Sequence, residues 1–273
     1  MRSASRAALR TLRPRVHAAV SRFGSRETRI GFASELYSVA TLLTGQPRLR
    51  RMLGDPASSP DARAGLAARL IDDKVSPSTV ALVKDAVSLR WSAPWDMLDA
   101  IEWAGDDVLL AAAEQDDVIE DVEDELFRFE RILDNESDLT ALLDEQAVPA
   151  DRRRELLDGV LGQKVHPITL ALLQHAVASQ RKRSLLLAID DLIEAAAQRR
   201  ERSLARAVSA TELSSEQQEH LARALSRIYD RPIDVRYAID PSVRGGLVVR
   251  VGDEVIDGSV AARLTQLRSA FAG

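Results

Sequence analysis

Apolar residues recur along this chain with two different periods, and the change between them marks its organisation. Through most of the length they return every three or four residues, as on one face of a helix. Phe32, Leu36, Val39 and Leu43 share such a face. Gly45-Gln46-Pro47 interrupts the pattern before Leu49, Met52 and Leu53, and 54–60 reads as a loop before a short helix over 62–71. Ser76 is placed to cap, and Pro77 to open, a helix carrying Val80, Val83, Ala86 and Val87. Pro94, between Trp91 and Trp95, starts the next with Leu98 and Ile101. Val122, Leu126, Phe129 and Leu133 form another face, and 184–197 predicts a long helix with Leu185, Ala188, Leu192 and Ala195 on one side. A charged junction follows at 199–202.

Beyond that junction the period changes to two. Leu204, Arg206 and Val208 read as a strand, and Ser214-Ser215-Glu216-Gln217 has the form of a capping box. It opens a helix through Leu221, Ala224, Leu225 and Ile228, which ends before Arg231-Pro232. Val235, Tyr237 and Ile239 alternate with polar or small residues. Leu247, Val249 and Val251 do the same after the Gly245-Gly246 pair. Gly252-Asp253 then makes the tip of a tight hairpin returning through Val255-Ile256. Asp257-Gly258-Ser259 closes the strands, and Asp257 or Ser259 caps a final helix with Val260, Leu264, Leu267 and Phe271 on one face.

The helical part contains a repeat. Residues 49–88 align without a gap on 139–178, and 14 of the 40 pairs are identical, among them Arg63/Arg153, Pro77/Pro167 and Thr79/Thr169. An ungapped register across two loops is the mark of duplication rather than of two similar alanine-leucine helices. The expected fold is therefore predominantly α, with duplicated N-terminal helical bundles followed by a small C-terminal α/β domain containing a β-hairpin. The boundaries read as 1–104 for an additional bundle, 105–203 for the second bundle and 204–273 for the α/β domain.

Composition refines this picture at three points. The chain has 273 residues, 45% hydrophobic but only 4% aromatic, so alanine and leucine supply the core and favour helix. It has no cysteine, which removes disulfides, thiolate chemistry and cysteine-ligated metals. The net charge of -5 conceals segregation: eight arginines against Glu27 in residues 1–30, then nineteen acidic residues against Arg128 and Arg131 between Asp96 and Glu145. Such fields select oppositely charged partners, and the acidic belt argues against nucleic acid. The basic start has two readings, a mature basic helix interrupted by Pro14 or an organelle transit peptide. No apolar run is long enough to span a membrane directly.

No catalytic constellation stands out. His166 and His175 are nine apart and outside any zinc-protease pattern, so they read as helix-surface or cap residues. Gly159 to Lys164 lacks the spacing and the hydroxyl of a phosphate loop. The carboxylates from Asp116 to Glu125 lie along a helix rather than around an ion. Trp91, Trp95 and Trp103 read as helix packing. No cofactor or metal is expected. Composition and pattern leave a non-catalytic helical adaptor as the leading class, ahead of a nucleic-acid-associated regulator.

The stretch 233–260, IDVRYAIDPSVRGGLVVRVGDEVIDGSV, followed by Arg263-Leu264, closely resembles the signature of the delta subunit of the bacterial F-type ATP synthase, whose mitochondrial relative is the oligomycin-sensitivity-conferring protein. The resemblance extends upstream through Glu125-Leu126-Phe127-Arg128-Phe129, Leu139 and Leu142-Leu143, covering about 105–271. It implies a six-helix bundle and a C-terminal domain acting as a non-catalytic stator. The expected partners are the N-terminal segments of the alpha subunits, the beta subunit surface and the b-type stalk subunits. It also implies a peripheral protein on the cytoplasmic side of the cell membrane, and a mature basic N-terminus. The duplication accounts for the extra helical portion. Gly245, Gly246, Gly252, Asp253, Asp257 and Gly258 are expected to close the small domain. Leu126, Phe129, Leu133, Leu172 and Val177 are the candidate bundle-interface residues. A helical adaptor outside the synthase is the alternative.

Overall fold

The computed structural model describes residues 2–179, 184–229, 233–240, 243, 246–251 and 254–258. The chain divides into two compact units, Met1–Glu194 and Ala195–Gly273. It is predominantly α, with an α/β region near the C-terminus.

The helical elements are α1 (Ser3–Val20), α2 (Arg26–Gly45), α3 (Pro47–Leu53), α4 (Pro60–Ile71), α5 (Pro77–Ser88), α6 (Pro94–Gln115), α7 (Ile119–Asn135), α8 (Ser137–Asp144), α9 (Ala150–Leu161), α10 (Pro167–Ala178) and α11 (Leu185–Ser203). Several begin where the sequence placed a stop and a start. Ser25, Ser59 and Ser76 each accept a hydrogen bond from the backbone N–H three residues on, and Pro60 and Pro77 occupy first-turn positions where no N–H is needed.

The duplication is reproduced element by element. Pro60 and Ala150 open α4 and α9, and Pro77 and Pro167 open α5 and α10, each pair ninety residues apart. The repeat also reaches further back than residue 49. The carboxylate of Glu35 on α2 accepts from Ser76 N–H, Ser76 Oγ and Thr79 Oγ1 at the start of α5. Ninety residues on, Glu125 on α7 accepts from His166 N–H and Thr169 Oγ1 at the start of α10. Both copies thus fasten their second helix to the N-terminus of their fifth, where a carboxylate is favoured by the exposed N–H groups and the helix dipole.

The two copies share a helix. Pro94, which opens α6, lies ninety-one residues after Ser3 of α1 and ninety-one before Leu185 of α11. By register α6 is the last helix of the first copy and the first helix of the second. It packs against α1, α2, α3 and α5 of the first copy and against α7 and α10 of the second. Its composition follows from that position: Met97, Leu98, Ala100, Ile101, Ala104 and Val108 through Ala113 are all buried, an apolar surface wider than one helix stripe. The boundary read at 104/105 falls inside it.

Two other helix readings are revised. α1 runs through Pro14 instead of breaking there, with Ala8, Leu12, Val16 and Val20 buried against its neighbours. Packing of that face outweighs the backbone hydrogen bond that proline forgoes. The 199–202 segment is a continuation of α11, not a junction.

The C-terminal unit contains β1 (Leu204–Ser209), α12 (Ser215–Tyr229), β2 (Asp234–Ile239), β3 (Leu247–Val251) and β4 (Glu254–Asp257). Strand order is β2-β1-β3-β4, with β1 parallel to β2 through the α12 crossover and antiparallel to β3. β3 and β4 pair antiparallel as a hairpin, with Val251 opposite Glu254. The capping box is reciprocal: Ser214 N–H donates to Gln217 Oε1, and Gln217 N–H donates to Ser214 Oγ. Ala205, Ala207, Leu225, Ile233, Val249 and Val251 form the core. β1 forms where Leu204, Arg206 and Val208 mark a strand, and its buried face carries Ala205 and Ala207. Ile239, which alternates with Val235 and Tyr237 as one strand face, is 59% exposed, while Val235 and Tyr237 pack against the core. The final helix expected over 260–271 lies outside the described residues.

Candidate interaction surfaces

Among the described residues, no group of three or more His, Asp or Glu side chains is placed to hold a metal ion. No helix there is long and apolar enough to cross a membrane. The notable polar cluster is at the seam between the copies. The Tyr37 hydroxyl on α2 donates to Asp106 Oδ1 on α6 at 2.7 Å. The Tyr37 ring stacks on His175 of α10, with centroids 3.6 Å apart and planes 8° from parallel. Beside it, Ser179 donates to Glu102. Gly105 makes the approach possible, since a Cβ there would lie 2.3 Å from Tyr37 Cε1. Burial pushes the Asp106 carboxyl up to about 7, helped by the nearby Glu102 and Asp107 and opposed by the Tyr37 hydrogen bond. Burial and the Asp106 charge push the Tyr37 hydroxyl well above its usual range, which keeps it a donor.

The arginines of the basic start have different roles. Arg2, Arg6 and Arg10 are exposed along α1. Arg13 lies over the Trp103 ring, Arg15 pairs with Asp85 at 2.6 Å, and the buried Arg29 donates to the Phe23 carbonyl. The tryptophans do pack helices: Trp91 is buried with its indole N–H on the Ala86 carbonyl, and Trp95 carries Arg50 on its face. His166 is the N-cap of α10, its Nδ1 accepting from Ile168 N–H. Gly159 to Lys164 is the end of α9 and a turn of 3-10 helix, with Gly162 at φ 44.

The residues singled out from sequence separate into two sets. Leu126, Phe129, Leu133, Leu172 and Val177 are each at most 1% exposed, so they fill the unit's own core rather than its surface. In the small domain, Gly246 adopts φ 88, Asp257 pairs with Val248, and Gly258 N–H donates to the Leu247 carbonyl. Gly245, Gly252 and Asp253 lie outside the described residues. What the sequence reading missed is the exposed side of α7. Phe127 there is 48% exposed, and the signal was present in the pairing of Glu35-Leu36-Tyr37 with Glu125-Leu126-Phe127.

Comparison with known proteins converges on one family. Residues 107–271 match the family described as ATP synthase delta (OSCP) subunit, a match that begins within α6. The chain is 40% identical to the ATP synthase subunit delta of Streptomyces griseus over all of both chains. It is 39% identical to that of Nocardia farcinica, again over all of both, and 42% identical to that of a Parafrankia strain over 86% of this chain and 85% of the relative. The N-terminal copy is therefore shared with full-length relatives, and the chain belongs to the ATP synthase delta (OSCP) subunit family.

Proposed function

We infer that this chain is a peripheral-stalk subunit of the proton-translocating F-type ATP synthase and does its work without catalysing a reaction. The observation that carries this is end-to-end similarity to subunits of that name, the added helical copy included. In this reading the helical unit grips the N-terminal segments of the alpha subunits and the neighbouring beta surface, while the C-terminal unit engages the b-type stalk. The chain then sits on the cytoplasmic side of the cell membrane as a peripheral protein. The physical task is static: rotor torque makes ATP only if the head is held still, so the contribution is binding energy and stiffness. A helical unit with buried seams and a short sheet around one core suits it. The division into 1–104, 105–203 and 204–273 then describes ancestry, with α6 common to the first two parts.

Membranes stripped of this subunit test the reading. Proton-driven ATP synthesis is expected to be lost and to return on adding the purified chain, which should co-fractionate with the head. Full synthesis without it, or failure to co-fractionate, would favour an adaptor acting outside the synthase.

A further inference from the structure

The duplication provides an internal control, because each face of one copy can be compared with the same face of the other. In the first copy α2 packs along α6, with Ala33 and Ala40 0% exposed and the Tyr37 ring against the Gly105 backbone. Ala33, Tyr37, Ala40 and Thr44 follow the i, i+4, i+7, i+11 spacing of a single helical face. Ninety residues on, the same positions on α7 are Glu123, Phe127, Glu130 and Asp134. A stripe of small residues around one aromatic has become a stripe of acids around one aromatic.

That stripe is partly open, at Phe127 and Asp134. Phe127 is 48% exposed, Asp134 is exposed, and Glu123 and Glu130 are half-buried. The helix in register with α6 is α11, and the positions matching the buried Met97, Ile101 and Ala104 are Leu187, 57% exposed, with Asp191 and Glu194, both exposed. Asp190 is close enough that, after burial, it is the main cause raising the Glu130 carboxyl, with Asp134 adding to it. Acid facing acid opposes the close helix contact that alanines allow in the first copy.

We propose that the Glu123–Phe127–Glu130–Asp134 face of α7 is a docking surface for a basic amphipathic helix from another protein. The first copy supplies the shape of the occupant, since a helix lies on the equivalent stripe there. The exchange of Ala33, Ala40 and Thr44 for three carboxylates supplies its charge: lysines or arginines at matching spacing. Over Phe127 it presents a small residue, as Gly105 does over Tyr37, or an arginine stacked on the ring. The proposal goes beyond the stalk reading and stands without it, because it concerns helix capture by the purified chain.

The test uses the full chain and a synthetic 22-residue peptide with the α6 sequence in which every Asp and Glu is replaced by lysine. Comparison peptides are the unaltered α6 sequence and a scrambled lysine peptide that cannot form an apolar stripe. The lysine peptide is expected to bind about tenfold or more tightly than either, a difference of about 1.4 kcal/mol. Phe127→Ser and Glu130→Lys should each weaken it about tenfold, Glu130→Gln less, and Met52→Ser on the first copy not at all. All three positions lie at least partly on the surface, so circular dichroism should show unchanged helix content. A photo-crosslinker at position 127 should capture the lysine peptide. Equal binding of the scrambled peptide, or indifference to both Phe127→Ser and Glu130→Lys, would overturn the proposal. So would capture of α1 from a second molecule by the crosslinker, since the occupant would then be the chain itself.

Discussion

At the scale of single residues, Asp106 ties the stability of the seam between the copies to pH. Folded, this carboxyl titrates at about 7, whereas an unfolded aspartate titrates near ~3.9. The folded chain therefore binds the proton more tightly. The stabilising contribution is complete below about pH 4, falls by up to about 1.4 kcal/mol per pH unit as pH rises, and is gone above about pH 7. Asp106→Asn keeps an oxygen for the Tyr37 hydroxyl and removes this ionisation. Urea unfolding should find the variant about as stable as the parent at the acid end and more stable at pH 8; parallel pH profiles would remove Asp106 from the account. None of this was legible in the sequence, where Asp106 was one acid among nineteen between Asp96 and Glu145. Its neighbours come from helices far apart in the chain, and no local pattern reports them. Glu35 behaves in the opposite way: burial pushes it up, but the hydrogen bonds from Ser76 and Thr79 outweigh that and hold it below its usual range.

At the scale of elements, starts were the most legible feature because capping is local chemistry. Ser76-Pro77 and Ser214 to Gln217 were read from adjacent residues and form as read. Ser214→Ala should cost the C-terminal unit about 0.5–2 kcal/mol. Gln217→Ala should cost less, and the double variant should lose less than the sum, because the two bonds are reciprocal; simple additivity in a double-mutant cycle would mean the box contributes nothing as a pair. Buried faces were harder to read. Periodicity marks the larger apolar side chains as inward, yet β1 turns Ala205 and Ala207 to the core and β2 leaves Ile239 outside. β1 is an inner strand of a thin sheet, and small residues let the covering elements come close. On α7 the same periodicity points to Leu126, Phe129 and Leu133, which are core, and not to Phe127, which is exposed.

At the scale of the whole molecule, the repeat was visible but its overlap was not. An alignment can set 49–88 on 139–178, yet it does not show that one helix serves both sets. The overlap shows only in the contacts α6 makes with helices of both sets. Because neither copy is complete without α6, residues 1–194 should unfold in a single transition. Hydrogen exchange followed by mass spectrometry should find α2, α6 and α10 opening at the same denaturant concentration. Separate midpoints for α2 and α10 would show that the copies behave as independent domains.

The shared helix also limits what the lineage can discard. A chain cut back to begin at Pro94 would retain one full set of six helices. It would also turn Met97, Ile101, Ala104 and Val108 out into water along four successive contact positions of a single helix. Loss of the extra copy by simple deletion would therefore leave a sticky, aggregation-prone product. It becomes tolerable only after several substitutions have already made that flank polar, and those same changes would damage the longer protein. The added segment is in this sense ratcheted in place: easily gained by one duplication, and hard to remove in one step.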